Sequence, residues 1–391
     1  MAKRLTQVLG VDIGTQSMKA AAVRLGRDGA EVAGLAKGPT PVDAMDHTGI
    51  YDPVAIGTTL HGILSQAGMT GMKDVIFCIQ GQSSVLVRNL EVPKMNDKEL
   101  DEHMKWEVQR NIPFAESTVL SDFRVIENAA LTGSDNQEVV MAVSPQSAID
   151  TIIELLKAAH LRAAAIDVEP LAIGRILKVC HPGDLGGRKT CVVNIGDANS
   201  SINMYRDSVL SFPRTVPIGG KNLTSAISTG MSLTAEEAEN KKKAEASIPT
   251  SGSGEPTQSF APYNPFDSSG AAPAEGDAPS EPVPAPVPVP TSNLYGLMEP
   301  QLADFAAEIR RSIDYYRSRG GDVETIGLTG GGSKLKGLPA YIESSLGIPV
   351  QLLNPFAGIG VAVQPGAETY LQDDASEFTV AMGMGLHIAF D

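Results

Sequence analysis

The stretch "VLGVDIGTQSMKAAAV", residues 8–23, ends an apolar run with a single carboxylate, Asp12, and follows it with Gly14 and Thr15. In a glycine turn the backbone N–H groups point outward, and the missing Cβ lets a phosphate approach closely. A carboxylate repels phosphate directly, but it can hold Mg²⁺ or its waters, which bridge to phosphate oxygens. The stretch therefore predicts a turn that binds phosphate beside a metal held by Asp12.

Two further stretches have a related design. In "RKTCVVNIGDANSSINMY", residues 188–205, an apolar strand meets Gly196 and small polar residues before a second strand. A third glycine turn, 330–332, joins a strand at 323–328 to a helix expected to start near Ser333, whose N-terminal dipole favours anions. Singly, each stretch also reads as a tight β-turn or a loop before a helix. Together, in this order, they predict two related half-domains that face each other across a nucleotide cleft.

The composition narrows the class of protein. The chain has 391 residues and a net charge of −15, which predicts two or more packed units and argues against nucleic acid as the main partner. Its three cysteines, Cys78, Cys180 and Cys191, lie in apolar runs, which is typical of buried thiols in a reducing compartment. The N-terminus lacks the pattern of a secretion signal, and no stretch approaches the roughly 20 apolar residues of a membrane span. We therefore expect a cytosolic protein without direct membrane insertion.

A small α+β module is expected to interrupt the first unit. Asn96 followed by Glu99 is a capping-box start for a helix, and Leu100, Met104 and Val108 then share one helical face. The order in this module is strand, helix, strand, strand, helix. The first unit and its module are expected to contain strands at 7–13, 18–25, 31–37, 74–81, 119–126, 138–144 and 163–167, and helices at 53–68 and 146–160.

A proline-rich segment is expected to interrupt the second unit. Residues 247–292 hold 11 of the 26 prolines and are otherwise mostly Ser, Gly and Ala, so they cannot bury enough apolar surface to offset the entropy of ordering. We expect a disordered insertion with polyproline-II character near its end, serving as a spacer. Order resumes with a long helix at 297–318, and the chain ends in "FTVAMGMGLHIAF", an apolar helix with two glycines.

These motifs carry a family resemblance. "GVDIGTQSMKAAAV", "VVNIGDANSSINMY" and "IGLTGGGSKLKGL" resemble the phosphate-1, phosphate-2 and adenosine motifs of the actin/Hsp70/sugar-kinase superfamily. "VPKMNDKELDEHMKWEVQRNIPF", "LSDFRVI", "IIELLKAAHLRAAAIDVEPLAIGRIL" and "TAEEAENKKKA" resemble the PilM family, the FtsA-like cytoplasmic component of type IV pilus assembly. The resemblance implies an α/β, actin-like ATPase fold. Two lobes of ribonuclease-H-like sheets are flanked by helices, and an FtsA-type α+β subdomain, 1C, is inserted.

The resemblance also implies a division of the chain. The first lobe (1A) comprises 1–83 and 165–187, with the 1C subdomain at 84–164 between them. The second lobe (2A) comprises 188–218 and 321–372. Subdomain 2B spans 219–320 and contains the proline-rich insertion at 247–292, and a C-terminal helix at 373–391 returns to the first lobe.

Motif by motif, the resemblance assigns residues that bind ATP and Mg²⁺, with Asp12 as the metal ligand. They are Asp12, Gly14, Thr15, Gln16 and Lys19 in the first turn; Asn194, Gly196, Ala198 and Asn199 in the second; Glu239 and Lys242, which with Ala238 match an AExxK segment; and Gly330, Gly331, Gly332 and Lys334 in the third. Three of these assignments have alternatives. Lys19 either reaches phosphate or is solvated, and Glu239 and Lys242 either touch the ribose or base or form a charged, solvated helix face.

Two positions bear on catalysis. Glu169 could orient a water as a base, or it could be an acid favoured by the dipole at a helix N-terminus. The superfamily's second phosphate motif usually begins with Asp, and here it begins with Asn194. An amide cannot bind the waters of Mg²⁺ as a carboxylate does, and it cannot accept a proton. We therefore expect a nucleotide binder with negligible turnover.

The resemblance implies a partner, the short cytoplasmic N-terminal segment of PilN, a single-pass inner-membrane protein. In the family this peptide lies in a groove between the first domain and the inserted module, and an extended peptide could also add to a sheet edge. Trp106, the only tryptophan, lies off the apolar face of its helix, so it either anchors the partner or packs against the first domain. We expect the chain at the inner face of the inner membrane, held by this partner, with other pilus components and self-association also open.

Two other functions are compatible with the same motifs. An FtsA-like cell-division protein usually ends in an amphipathic membrane helix, whereas this sequence stops at Asp391 without one. A small-molecule kinase of the superfamily needs an Asp general base and a substrate pocket between the lobes, and no sugar-binding signature stands out. The segment at 92–114 favours the pilus-assembly scaffold.

Overall fold

The computed structural model describes residues 5–27, 29–111, 114, 118–126, 135–249 and 293–390. The first half of the chain contains β1 (Gln7–Ile13), β2 (Ser17–Gly26), β3 (Gly29–Pro39), α1 (Pro53–Gln66), β4 (Asp74–Ile79), β5 (Leu86–Pro93), α2 (Asp97–Asn111), β6 (Val119–Ile126), β7 (Asn136–Pro145), α3 (Gln146–Ala158), β8 (Arg162–Val168) and α4 (Glu169–Cys180).

The second half contains β9 (Lys189–Ile195), β10 (Ser200–Arg206), β11 (Val209–Val216), α5 (Gly220–Met231), α6 (Ala235–Glu245), α7 (Asn293–Ser318), β12 (Thr325–Thr329), α8 (Leu338–Leu346), β13 (Val350–Leu352), β14 (Gly360–Val361), α9 (Glu368–Gln372) and α10 (Thr379–Gly385). Single 3₁₀ turns span 331–334, 375–378 and 386–389. Within the described ranges, no helix is both long and apolar enough to cross a membrane.

The two large sheets share one topology. The first has the order β14-β3-β2-β1-β4-β8 and the second the order β11-β10-β9-β12-β13. In each sheet the first three strands of the chain pair antiparallel, and the two strands that follow add in parallel on the other side. Apart from β14, the two lobes therefore repeat one α/β unit, as the sequence predicted.

The inserted module is a separate three-stranded sheet, ordered β5-β7-β6, covered on one face by α2. The predicted capping box forms, since Asn96 Oδ1 accepts from the backbone N–H of Glu99 at 3.1 Å and Glu99 Oε2 accepts from that of Asn96 at 3.2 Å. Leu100, Met104 and Val108 are buried in the module's own core, as their helical spacing predicted.

The helix α3, which we expected to belong to the module, packs instead on α1 of the first lobe. A Cβ on Gly57 of α1 would come within 2.3 Å of the Leu155 carbonyl oxygen of α3, so the two helices approach as closely as their backbones allow. Ile152 and Leu156 of α3 are buried with the first lobe's sheet. The helix follows the module in sequence, but its apolar face is buried by the lobe.

The helices α4 and α10 lie between the lobes. Apolar residues of both helices form one buried cluster with residues from both large sheets, including Val8 and Ile76 of the first and Val192 and Tyr205 of the second. A Cβ on Gly383 of α10 would meet the Ala172 carbonyl oxygen at 2.2 Å. The C-terminal helix therefore packs on the first lobe, and its glycines allow that contact.

The first residues of the predicted proline-rich insertion pack on the second lobe. Ile248 is 5% exposed and packs into the second lobe's core, and its N–H donates to the Lys336 carbonyl oxygen at 2.8 Å. The predicted insertion starting at 247 therefore begins too early, because Ser247 and Ile248 belong to the lobe. Its remainder, 250–292, lies outside the described residues.

Two glycine-to-alanine substitutions separate packing from helix propensity. Gly62 of α1 has open space where a Cβ would lie, whereas Gly383 faces the Ala172 carbonyl oxygen. In urea unfolding we expect Gly62→Ala to raise the free energy of unfolding by about 0.5–1 kcal/mol and Gly383→Ala to lower it by about 1–3 kcal/mol. Stabilisation by both substitutions would contradict the close crossing of α10 and α4.

Candidate functional site

The first two glycine turns face the same gap between the lobes. In the turn between β1 and β2, Gly14 N–H donates to the Ser17 carbonyl oxygen at 3.0 Å, and in the turn between β9 and β10 Gly196 N–H donates to that of Asn199 at 3.0 Å. An equivalent hydrogen bond, from the glycine N–H to the carbonyl oxygen three residues later, therefore closes each turn. Thr15 Oγ1 of the first turn donates across the gap to Asp197 Oδ2 of the second at 3.4 Å. The two turns therefore form one site. Asp197 was not among the predicted residues.

Asp12 is buried at the end of β1, with 7% of its surface exposed. Gln80 Nε2 donates to Asp12 Oδ1 at 2.8 Å and to the Ile13 carbonyl oxygen at 2.7 Å. Burial raises the pKa of Asp12, while Lys19 and the hydrogen bond from Gln80 act in the opposite direction. Gln80 was not among the predicted residues. The parallel pairing of β1 with β4 brings this residue, which follows β4, beside Asp12.

Lys19 lies beneath the first turn and is not solvated. Its Nζ donates to the Ser17 carbonyl oxygen at 3.1 Å and is 3.9 Å from Asp12 Oδ2, with 12% of the side chain exposed. A Cβ on Gly14 would come within 3.3 Å of this nitrogen. The ammonium therefore lies close to any phosphate held by the turn, but a direct contact stays a prediction.

Glu169, the first residue of α4, lies half-buried beside the second turn. Ser201 Oγ donates to its Oε1. Burial raises the pKa of Glu169, and hydrogen bonds from the side chains of Ser201, Asn194 and Asn203 oppose that shift. Asn194 thus acts as a donor to Glu169, a role that an aspartate at this position would lose. Both expected roles of Glu169 stay predictions.

Glu239 and Lys242 link α6 to the start of α5. Lys242 Nζ lies 2.6 Å from Glu239 Oε2 and donates to the Gly220 carbonyl oxygen at 3.0 Å, with 13% of its side chain exposed. Gly220 N–H in turn donates to the Gly196 carbonyl oxygen at 2.9 Å. The pair therefore lies beside the second turn and is not a solvated face. Its contact with a ribose or base stays a prediction.

The third glycine turn packs directly on the second. Gly330 has φ +81°, and a Cβ there would lie 2.4 Å from Asn194 Oδ1, so the close approach requires glycine. The prediction that a helix starts near Ser333 is wrong. A single 3₁₀ turn spans 331–334 and α8 begins at Leu338, because Gly337, at φ +84°, interrupts the helix. The expected contribution of a helix dipole at this turn is therefore weakened.

Lys334 takes part in an ion-pair network between the lobes. Its Nζ contacts Asp374 and lies 3.0 Å from Glu377 Oε1, while Lys37 Nζ of β3 lies 2.9 Å from both carboxylates. Burial opposes ionisation of Asp374, but the hydrogen bonds and charges of Lys334 and Lys37 lower its pKa to about 2. Lys37, Asp374 and Glu377 were not predicted from the sequence, because no local pattern connects residues so distant in the chain.

Trp106 is exposed on the inserted module. Its relative exposure is 52%, and the Arg110 guanidinium lies 5.2 Å from its ring centroid. Trp106 therefore presents about half of its surface to solvent, and both roles expected for it stay predictions. The three cysteines are buried and free, as predicted.

Two cavities adjoin the junction of the module and the lobes. The larger, of about 1090 Å³, runs from Gln80, Glu169 and Asn199 along β5 to β11 of the second lobe. The smaller, of about 320 Å³, lies between the first lobe and α3, with Tyr51, Phe77 and Ser84 in its wall. Neither is lined by Trp106.

Comparison with known proteins agrees with this geometry. The solved PilM-PilN type IV pilus biogenesis complex has a chain that superposes with a TM-score of 0.77 at 25% identity, covering 99% of both chains. The ethanolamine utilization protein EutJ from Carboxydothermus hydrogenoformans superposes with a TM-score of 0.54 at 13% identity, covering 98% of this chain and 91% of EutJ, which supports the predicted actin-like fold alone.

Sequence relatives match over shorter stretches. Cell division protein FtsA of Bacillus subtilis is 26% identical over 118 residues, which is 30% of this chain and 24% of FtsA. That of Porphyromonas gingivalis is 38% identical over 82 residues, 21% of this chain and 16% of FtsA. The profile of the family "type IV pilus assembly protein PilM" instead matches residues 10–260 and 288–389. This chain therefore belongs to the PilM family of type IV pilus assembly proteins.

Proposed function

We propose that this chain is a PilM-like, nucleotide-binding scaffold of type IV pilus assembly or a related envelope machine. It holds ATP between its lobes and the N-terminal cytoplasmic peptide of a PilN-like inner-membrane protein at its inserted module. The observation that carries the nucleotide site is the meeting of the two glycine turns, with Thr15 bonded to Asp197 across the gap. The partner is supported by the match, over 99% of both chains, to the PilM-PilN complex.

The proposed site has the donors that a phosphate-bound cation requires. Mg²⁺ usually keeps several waters and is held by one or two carboxylates together with phosphate oxygens. Asp12 contributes a carboxylate at the first turn, and Asp197 contributes another across the gap. Among the described residues no group of three or more metal-binding His, Cys, Asp or Glu side chains is assembled. When bound, Mg²⁺ would neutralise phosphate charge beside Asp12.

In this proposal the chain lies on the cytoplasmic side of the inner membrane and is held there through its partner. The edge strand β5 borders the larger cavity, so an extended peptide could follow it between the module and the first lobe. The partial FtsA matches give a cell-division role less support than the full-length PilM match. No feature of the described cleft favours a small-molecule kinase.

Removing the Asp12 carboxylate tests the metal assignment. In titration calorimetry with ATP and Mg²⁺ we expect Asp12→Asn to weaken binding about tenfold or more, equivalent to about 1.4 kcal/mol. With ATP and EDTA the loss should be much smaller, because the lost interaction is with the cation. Asp101→Asn, on the exposed face of α2, is the control. Equal losses with and without Mg²⁺ would contradict the role of Asp12.

The hydrogen bond between Asn194 and Glu169 leads to a prediction on hydrolysis. We expect the native protein to release phosphate much more slowly than a competent actin-like ATPase. Asn194→Asp introduces a carboxylate that can bind the cation's waters and accept a proton, so the rate should rise by about tenfold or more. Thermal melting must accompany the assay, because the new carboxylate lies beside the half-buried carboxylate of Glu169.

The control for this experiment is the double variant Asn194→Asp/Glu169→Gln. If Glu169 cooperates with the new carboxylate, the double variant should lose most of the gained rate. If the native protein released phosphate at the rate of a competent ATPase, the prediction of negligible turnover would be wrong. The proposal that the chain binds a nucleotide would not be affected by that result.

A synthetic N-terminal peptide of a PilN-like protein tests the partner. We expect calorimetric binding, and Trp106→Ala to weaken it by about 2 kcal/mol, or about thirtyfold, as an exposed aromatic anchor does. Val42→Ala, 89% exposed on the first lobe, is the control. Absence of binding both with and without ATP would count against the scaffold. Native-like binding by Trp106→Ala would exclude Trp106 as the anchor and leave the cavity beside β5.

A further inference from the structure

The inserted module's sheet has one edge turned toward the protein and one turned away. At the β5 edge, Asn89 Nδ2 donates to the Leu210 carbonyl oxygen of the second lobe at 2.8 Å. At the other edge, β6 pairs with β7 and, within the described ranges, with no other strand. The β6 edge is therefore the open side of this sheet.

This open edge lacks most of the usual protection. Its eight residues, "VLSDFRVI", contain no proline or lysine, and the register with β7 runs without a bulge. Natural edge strands commonly carry such features because an exposed ladder pairs with other strands. Leu120 is 46% exposed and Val125 is 50% exposed, so the strand presents apolar side chains as well as charged ones.

The backbone direction of β6 follows from one hydrogen bond. The N–H of Phe123 donates to Oδ1 of the neighbouring Asp122 at 2.9 Å, so it faces the open edge and not β7. Backbone groups alternate along a strand in an antiparallel pair, so those of Ser121 and Val125 face the open edge as well. A further strand would bond these groups, and the Phe123 N–H would exchange its Asp122 acceptor for a carbonyl oxygen of that strand.

The sequence of β6 is complementary to itself. If a second copy pairs antiparallel with the two-fold axis at Phe123, Asp122 lies opposite Arg124 of the second copy, and Leu120 lies opposite Ile126 of that copy. An axis at Asp122 would place two aspartates together, and an axis at Arg124 would place two arginines together. No ion pair among the described residues engages Asp122 or Arg124. Of these three central registers, only the one with its axis at Phe123 pairs opposite charges.

We propose that β6 is an interface for a second copy of this chain. Two copies pair their β6 strands antiparallel about Phe123, and their three-stranded sheets join as one six-stranded sheet. The same surface patch serves both copies, as in other two-fold dimers. A strand-edge contact buries little surface, so the dimer is weak and depends on concentration. This interface is independent of the nucleotide cleft and of the β5 side of the module.

Charge reversal in the full chain tests the pairing. In sedimentation equilibrium over a range of concentrations we expect the native protein to dimerise. Asp122→Arg and Arg124→Asp, tested alone, should each weaken the dimer by about tenfold or more, because like charges then lie directly opposite each other. The double variant Asp122→Arg/Arg124→Asp should restore it. Mixing the two single variants should give a heterodimer, since each presents the charges that the other lacks.

Two further variants test the effect of net charge and the role of the open-edge N–H groups separately. Asp304→Arg, exposed on α7, changes the net charge as Asp122→Arg does and should leave the dimer intact. Ser121→Pro removes an N–H that faces the open edge, so it should abolish the dimer without unfolding the module. A native protein that stays monomeric at its highest soluble concentration would overturn the proposal. So would a dimer that Asp122→Arg and Asp304→Arg affect equally, or one that the double variant fails to restore.

Discussion

One buried core joins the two lobes, and both α4 and α10 contribute to it. A Cβ on Gly10 of β1 would lie 2.0 Å from the Ala381 carbonyl oxygen, and one on Gly383 would lie 2.2 Å from that of Ala172 in α4. Because α10 lies this close to the first sheet and to α4, apolar side chains of both lobes join in one core. Dense packing of that kind resists gradual deformation. This core joins the two lobes that carry the glycine turns.

The acidic side chains around the cleft have partners close by. The protein carries a net charge of −15, and acidic side chains lie around the gap, yet each has a local partner. Asp12 has Lys19 and Gln80, Glu169 has hydroxyl and amide donors, and Glu377 has Lys37 and Lys334. An anionic ligand approaching this gap meets backbone N–H groups in the turns, while a cation would offset the remaining carboxylate charge.

The inserted module adds protein surface beside the gap between the lobes. Its sheet packs on α2 through one core, while Val140 of β7 is buried in the cluster that joins the lobes, with Ile126 of β6 packed against that cluster. The exposed Trp106 and the open β6 edge both belong to this module, and exposed apolar side chains such as Val42 and Tyr51 lie on the first lobe as well.

The sequence by itself determined the features that short-range geometry controls. These include the strand–turn–strand units around Asp12 and Gly196, the capping box at Asn96 and the buried face of α2, because each depends on residues a few positions apart. Tertiary structure alone decided the attachment of α3 to the first lobe, the bond between Thr15 and Asp197, and the ion pairs of Lys37 with Asp374 and Glu377. Those contacts join residues far apart in the chain. Their partners are chosen by how helices and sheets pack, and no local pattern in the sequence records that choice.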